Sequence, residues 1–224
     1  MEIGKMIEKR PTSEVMNVDC LEYMRSLPDK HFDLCIADPP YRDVNSPTEW
    51  MKKKQSNDKL FLLGVPSEEV FKEMERVSKA QIIWGANNFN YPFKGFIAWD
   101  KQVRGSSRYS QIEIASLSEN LSTVSRYCSF SCYDTQGKIH PTQKPIDLYA
   151  WILKNYAHEG DKIFDPFLGS GSSRIAAYKL GFDFVGCEID EEYFRLSEER
   201  FQRECHGIVK SSSEGTTLQQ LSLF

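Results

Sequence analysis

The sequence predicts an α/β fold, a mostly parallel β-sheet flanked by helices, and two observations carry that expectation. Residues 162–188 read as strand, glycine turn, helix and strand, a βαβ unit of the kind that joins parallel strands. Two separate apolar runs, Phe32 to Ala37 and KIFDPF at 162–167, each arrive at an aspartate followed by proline. An acid at that point sits on the carboxyl edge of a sheet, where open α/β folds bind their ligands. Both loops must then serve one reaction centre, which places the 162–188 unit beside the Asp38 strand.

The elements follow in order. Asp19 can cap a helical segment around 20–27, whose Leu21, Met24 and Leu27 fall on one side. The strand Phe32 to Ala37 stops at Asp38-Pro39-Pro40, since two prolines end a strand and hold the backbone extended. Residues 42–60 are polar and breaker-rich and read as a loop. Ser67 can cap an amphipathic segment at 68–78; QIIWG (81–85) and GFIAWD (95–100) then read as strands, and IEIASLS returns as another. Segment 121–135 suggests an irregular strand pair. A helix is expected over 146–157, where Ile146, Tyr149, Ala150, Leu153 and Tyr156 recur at helical spacing. Beyond the glycine turn at 169–173 come a helix at 173–180, terminated by Gly181, the strand FDFVGCE (182–188) and a helix at 191–204. The serine-rich segment 211–224 reads as a flexible tail.

The chain has 224 residues, 40% hydrophobic, which suits one substantial domain over 1–210. No apolar run is long enough to span a membrane, and MEIGKMIEKR lacks the apolar stretch of a secretory signal, so a cytoplasmic protein is expected. Six scattered cysteines fit reduced thiols better than a disulfide framework. Cys128, Cys132 and His140 lack a fourth ligand at any recognisable spacing, so no metal is expected. The net charge of −4 argues weakly against a nucleic-acid partner, yet the charge is unevenly spread. Residues 94–108 carry a local +3 and residues 188–204 a local −4, which allows a basic working face and an acidic back.

Three constellations carry chemistry. Gly169-Ser170-Gly171 lies between strand and helix, with Glu188 located 17 residues after Gly171. Glycines let a ligand approach the backbone, and the acid can accept hydrogen bonds from a ribose diol. Alone the pattern also fits a tight packing turn. The absence of Gly-Lys-Ser/Thr disfavours a P-loop ATPase, and Asp165-Pro166 disfavours a dinucleotide dehydrogenase. The second constellation is Asp38-Pro39-Pro40-Tyr41. The exocyclic amine of adenine or cytosine is a poor nucleophile because its lone pair is delocalised into the ring. A fixed carboxylate and a backbone carbonyl can accept its two N–H bonds and favour the geometry that exposes that lone pair, while Tyr41 can stack on the base. The third is His140-Pro141-Thr142-Gln143-Lys144-Pro145, a rigid loop whose hydroxyl and ammonium can hold a ligand carboxylate. His140 has no sequence-adjacent partner for proton transfer, which favours a structural role.

Three stretches, NVDCLEYMRSLPDKHFDLCIADPPY, IHPTQKP and FDPFLGSGSSRIAAYKLGFDFVGCEIDEEYF, occur in that order. The sequence resembles the bacterial and phage DNA methyltransferases that modify adenine N6 or cytosine N4, in their beta arrangement, where the catalytic motif precedes the cofactor loop. The resemblance covers most of residues 15–205. It implies a Rossmann-like methyltransferase fold with a seven-stranded sheet and permuted motif order. It also implies S-adenosylmethionine as cofactor and double-stranded DNA as partner. Asp38 and the Pro39 carbonyl, followed by Pro40, would hold the target amine, and Tyr41 would stack on the flipped base. Asp165, Phe167, Gly169 and Gly171 would line the cofactor pocket together with Asp38, and Glu188 would take the ribose hydroxyls. Asp19 would meet the adenine end, and Thr142 and Lys144 would lie by the methionine end.

Val18-Asp19 stands where the family often has Gly-Asp, and Ser172-Ser173 where Ser/Thr-Thr is common. The recognition insertions expected near 42–62 and 101–135 are short, which bears on sequence specificity more than on chemistry. Lys52, Lys53, Lys54, Lys101, Arg104 and Arg108 are the expected phosphate contacts. A small recognition region suggests a homodimer to cover enough duplex. A cytosine C5 enzyme needs a cysteine after proline, and none is present. Asp before Pro-Pro-Tyr favours adenine N6 over cytosine N4. A methyltransferase acting on RNA or a protein amine would keep the chemistry, whereas a non-catalytic DNA-binding module would have no use for the glycine loop and Glu188.

Overall fold

The computed structural model describes residues 10–40, 65–89, 94–103, 110–121, 123–129, 137–140, 142–210 and 217–219. Among these, eight strands form one mixed sheet: β1 (Ser13–Met16), β2 (Phe32–Ala37), β3 (Ser78–Trp84), β4 (Gly95–Asp100), β5 (Ile112–Leu117), β6 (Val124–Cys128), β7 (Lys162–Asp165) and β8 (Asp183–Cys187). Their spatial order is β1-β8-β7-β2-β3-β5-β4-β6. The count exceeds the expected seven by one. β1 was not read as a strand; of segment 121–135, expected to hold an irregular strand pair, the described residues form the regular strand β6, and residues 122 and 130–135 lie outside them. β6 lies at an edge with alternate residues exposed, Val124 at 68%, so the apolar signal that marks a buried strand is weak there.

Parallel pairing runs from β1 through β8, β7 and β2 to β3, and β5 is antiparallel to both β3 and β4. Leu34 of β2 pairs with Ile163 of β7, so the two strands that end in Asp-Pro are direct neighbours, as expected. From this pair the chain winds outward both ways, β2 to β3 on one side and β7 to β8 on the other. The crevice beyond the carboxyl ends of β2 and β7 is therefore a topological switch point.

Alternation along the strands divides the core into two layers. Helix α1 (Cys20–Arg25) and helix α2 (Glu68–Val77) cover one face, where Met24, Val70, Phe71, Met74 and Val77 pack on Cys35, Ile83, Phe164 and Val185. Helix α3 (Ile146–Tyr156) and helix α4 (Ser172–Lys179) cover the other, where Leu148, Ile152, Leu153 and Ala177 meet Leu34, Ile36, Ile82, Ile163 and Phe184. Helix α5 (Glu191–His206) lies against α4, with Phe201 edge-on to Tyr178 at 5.2 Å. Among the described residues no helix is long and apolar enough to cross a membrane.

Local signals behave as their chemistry dictates, with two exceptions. Asp19 caps α1, accepting from Leu21 N at 2.7 Å and Glu22 N at 3.3 Å. Ser67 occupies the N-cap position of α2 but its hydroxyl makes no capping bond. Its carbonyl accepts from Val70 N instead. In the segment expected to be a flexible tail, strand β10 (Thr217–Gln219) pairs antiparallel with β9 (Ile208–Lys210).

Candidate active site

The glycine loop begins where β7 ends. Asp165, 1% exposed, accepts Phe167 N at 2.9 Å through Oδ1 and the Ser173 hydroxyl at 2.5 Å through Oδ2. It thus folds the loop back onto the first turn of α4. Burial pushes its carboxyl up to about 7, with the charges of Asp38 and Glu188 adding to the rise. With both oxygens engaged in this way, Asp165 supports the loop from behind. Gly169 and Gly171 adopt φ of 51° and 73°, a region costly for side-chain-bearing residues. A Cβ on Gly171 would also approach Ser197 Cβ at 3.4 Å.

Glu188 follows β8 and points back at this loop. Its Oε2 accepts Gly169 N at 2.7 Å, and Oε1 accepts Asp190 N at 2.9 Å. Each oxygen keeps lone-pair capacity for a ligand hydroxyl. Burial holds the Glu188 carboxyl above the usual carboxylate range. Phe167 is half-buried beside the same loop.

Beneath the loop lies a residue that sequence reading missed. Arg200, counted there only among the charges of an acidic helix, is 5% exposed and donates from Nη1 to Ser170 O at 2.9 Å and Ser172 Oγ at 2.8 Å. Ser172 Oγ in turn donates to Lys144 O at 2.7 Å. This short chain of bonds fastens the second strand-end loop to the His140–Pro145 stretch. The available signal was its place within α5: Tyr193, Ser197, Arg200 and Phe201 form that helix's buried stripe.

Asp38 ends β2 in the crevice, its side chain 15% exposed. Lys144 Nζ lies 2.5 Å from Asp38 Oδ2 and 3.3 Å from Glu113 Oε2. Lys101 binds the other oxygen of Glu113. Asp38 Oδ1 is buried with no hydrogen-bond partner among the described residues. Burial raises the Asp38 carboxyl, and the Lys144 ammonium opposes that rise without cancelling it. Glu113 is also penalised by burial, but Lys144 and Lys101 outweigh the penalty and hold it below the usual range.

The third motif divides its labour. The His140 ring packs edge-on against Tyr193 at 4.4 Å, and a Cβ built on Gly169 would lie 3.8 Å from it. Burial lowers His140 to about 4, with Lys144 adding to the effect, so it is neutral at pH 7 and positioned as packing. Thr142 Oγ1 lies 3.1 Å from His140 Nδ1, on an exposed residue. Lys144 reaches the crevice, but its ammonium is held by Asp38 and Glu113.

Lys101 requires a correction as an expected phosphate contact. Its side chain is 13% exposed, engaged by Glu113, with Nζ 5.2 Å from the Trp99 ring centroid. An ammonium so enclosed is not presented to a duplex. Tyr41, Lys52, Lys53, Lys54, Arg104 and Arg108 lie outside the described residues. Asp19, Asp38, Pro39, Lys144, Phe167, Gly169, Gly171 and Glu188 all sit at or just beyond the carboxyl ends of adjacent strands or in loops packed against them.

A family model described as DNA methylase matches residues 83–199, more than half of the chain. The Type II methyltransferase M2.DpnII of Streptococcus pneumoniae is 42% identical over 65 residues, which are 29% of this chain and 24% of that protein. The chain spans between 24% and 32% of the length of three curated relatives it matches. Among solved structures, TTHA0409 of Thermus thermophilus, a putative DNA modification methylase complexed with S-adenosyl-L-methionine, aligns with a TM-score of 0.57. It is 17% identical, over 93% of this chain and 97% of that one. The cytosine-N4-specific PvuII DNA methyltransferase aligns with the same TM-score, 0.57, at 14% identity over 84% of this chain and 86% of that one. At such identities the two structures show a shared fold.

Proposed function

This chain belongs to the N6/N4 DNA methylase family, and we propose that it transfers a methyl group from S-adenosylmethionine to the N6 amine of adenine in duplex DNA. The observation that carries the proposal is the state of Asp38. One carboxylate oxygen is held by Lys144 and the other is buried and unpartnered among the described residues, in the crevice shared with the glycine loop.

The residues fit the cofactor. The positive-φ glycines expose the loop backbone, Glu188 offers two carboxylate oxygens beside it, and Asp19 stands at the end of the neighbouring strand–helix turn. The ribose hydroxyls suit Glu188, the adenine end suits Asp19, and Phe167 supplies an apolar wall. When bound, S-adenosylmethionine supplies a methyl group already activated by the positive sulfonium.

The protein's task is to make the amine nucleophilic. Asp38 Oδ1 accepts one N–H of the target amine and the Pro39 carbonyl accepts the other. Proline has no N–H to compete and keeps that carbonyl in a stiff extended segment. The two acceptors draw the nitrogen lone pair out of conjugation, toward the methyl. The base must leave the duplex to reach Asp38, which costs a few kcal/mol, and stacking on Tyr41 contributes about 1–3 kcal/mol in return. Aspartate before Pro39-Pro40-Tyr41 favours adenine; cytosine N4 is the second reading, since its amine presents the same two donors.

The test is to incubate the protein with labelled S-adenosylmethionine and mixed-sequence duplex DNA, then identify the labelled nucleoside. N6-methyladenine is expected, and N4-methylcytosine would move the assignment to the second reading. Label found only in RNA or protein would overturn the DNA substrate. Asp38→Ala should abolish transfer while S-adenosylmethionine still binds.

A further inference from the structure

We propose that Lys144 and Glu113 are positioning residues for Asp38: Glu113 anchors the Lys144 ammonium, and that ammonium holds Asp38 Oδ2 so that Oδ1 remains the acceptor for the target amine. The proposal rests on the reading of Asp38 as that acceptor. It gives Lys144 a task other than binding the cofactor's methionine end, and it brings in Glu113, which no sequence motif contains.

Four charges of alternating sign run through the crevice wall as Lys101, Glu113, Lys144 and Asp38. Glu113 uses a different oxygen for each lysine, Oε1 for Lys101 and Oε2 for Lys144. The Lys144 side chain is 2% exposed, so its four-carbon stem is confined and its charge is matched on both sides by a carboxylate. Aromatic rings complete the frame. Lys144 Nζ lies 5.3 Å from the Trp84 ring, Lys101 Nζ lies 5.2 Å from the Trp99 ring, and the two indoles meet edge-on at 6.2 Å.

The sheet explains how Glu113 arrives there. β5 runs antiparallel to β3, so its first residues lie at the carboxyl edge where β3 ends. Glu113 is the second residue of β5 and pairs with Trp99 of β4. An antiparallel strand thus delivers an acid to the same edge at which the parallel strands end.

This wiring has a chemical consequence. An ammonium on Oδ2 favours the ionised form of a carboxylate that burial would otherwise protonate, and protonated Asp38 loses its value as a two-sided acceptor. Other groups that act on Asp38 or respond to it are Asp165 at the end of β7, Tyr149 of α3, and Lys101 beyond β4. Asp165 adds negative charge when ionised, which makes the nearby ammonium more necessary.

The experiment measures initial methylation rates against pH on mixed-sequence duplex DNA, with S-adenosylmethionine affinity measured separately by calorimetry. Lys144→Met should lower kcat at least about 100-fold and move the acidic limb of the profile upward by about one pH unit or more. Cofactor Kd should stay within about threefold, and Lys144→Arg should restore much of the rate. Loss of cofactor affinity with an unmoved acidic limb would overturn the proposal. Glu113→Gln is nearly isosteric and keeps the Lys144–Asp38 pair, and urea denaturation establishes that this variant and Lys144→Met are folded before their rates are compared. It should lower kcat about tenfold with Kd unchanged, and an unaltered kcat would overturn the anchoring role. Asp38→Asn is the control: if it is fully active, the acceptor reading itself fails. An inactive Asp38→Asn beside a fully active Lys144→Met would sink only the positioning role.

Discussion

Replacing Glu188 with alanine should weaken both the fold and the cofactor site, by amounts that can be read separately. In the protein alone, Glu188 Oε2 accepts Gly169 N and Oε1 accepts Asp190 N. Hydrogen bonds to a charged acceptor contribute about 1.5–3 kcal/mol, and a part-buried donor left without one costs about 1–3 kcal/mol. Both bonds are part-buried, so water can replace the carboxylate only in part at either donor. The variant should therefore lose about 1–3 kcal/mol of stability. If the same carboxylate also accepts the ribose hydroxyls, S-adenosylmethionine binding should weaken by about 1–3 kcal/mol, or roughly 5- to 150-fold in Kd. Urea denaturation without ligand measures the first quantity, and calorimetric titration of the folded variant measures the second. Full affinity in a destabilised variant would reduce Glu188 to a loop support and refute the ribose assignment. Unchanged stability would refute the value placed on these two bonds.

Two further outcomes follow from the groups around the loop. Arg200→Met keeps the bulk but removes the donors to Ser170 O and Ser172 Oγ, so it should cost about 1–3 kcal/mol. An unshifted urea midpoint would show that these bonds add nothing. Asp165 has an ordinary value of 3.8, raised in the fold to about 7 chiefly by burial. Between those values the folded protein holds a proton that the unfolded chain has released. Its contribution is thus fully present below pH 3.8 and is lost as pH rises through 7, by up to about 4 kcal/mol. Asp165→Asn cannot titrate there, so the wild type should lose stability relative to the variant between about pH 4.5 and 8. A difference independent of pH would show that Asp165 is not raised.

Much of the fold was legible because its signals are local. Strands β2 and β7 are buried on both faces and end at Asp-Pro, so apolar runs and breakers mark them without tertiary information. Gly181, with φ of 84°, stands just beyond the end of α4 for a reason written in the residue itself. Elements that escaped the reading lack such marks. β1 has one exposed and three half-buried residues along an edge; β3 was read only from residue 81, because it begins at Ser78 with no residue between it and the end of α2. A boundary without a loop has no turn chemistry to announce it.

The sequence by itself determined the residues whose chemistry follows from type and neighbours: Asp38 fixed by two prolines, glycines at positive φ after β7, and an acid after β8. Only the tertiary structure decided how the charges are shared. Lys101 was expected on a phosphate and is enclosed with Glu113; Lys144 was expected at the cofactor and holds Asp38; Arg200 was one charge of an acidic helix and fastens the glycine loop. The physical reason is the reach of the interactions. Helix periodicity, capping and turn chemistry act over a few residues. A buried ion must instead find its counter-charge wherever folding brings one, here from β5, 31 positions before Lys144 in the chain.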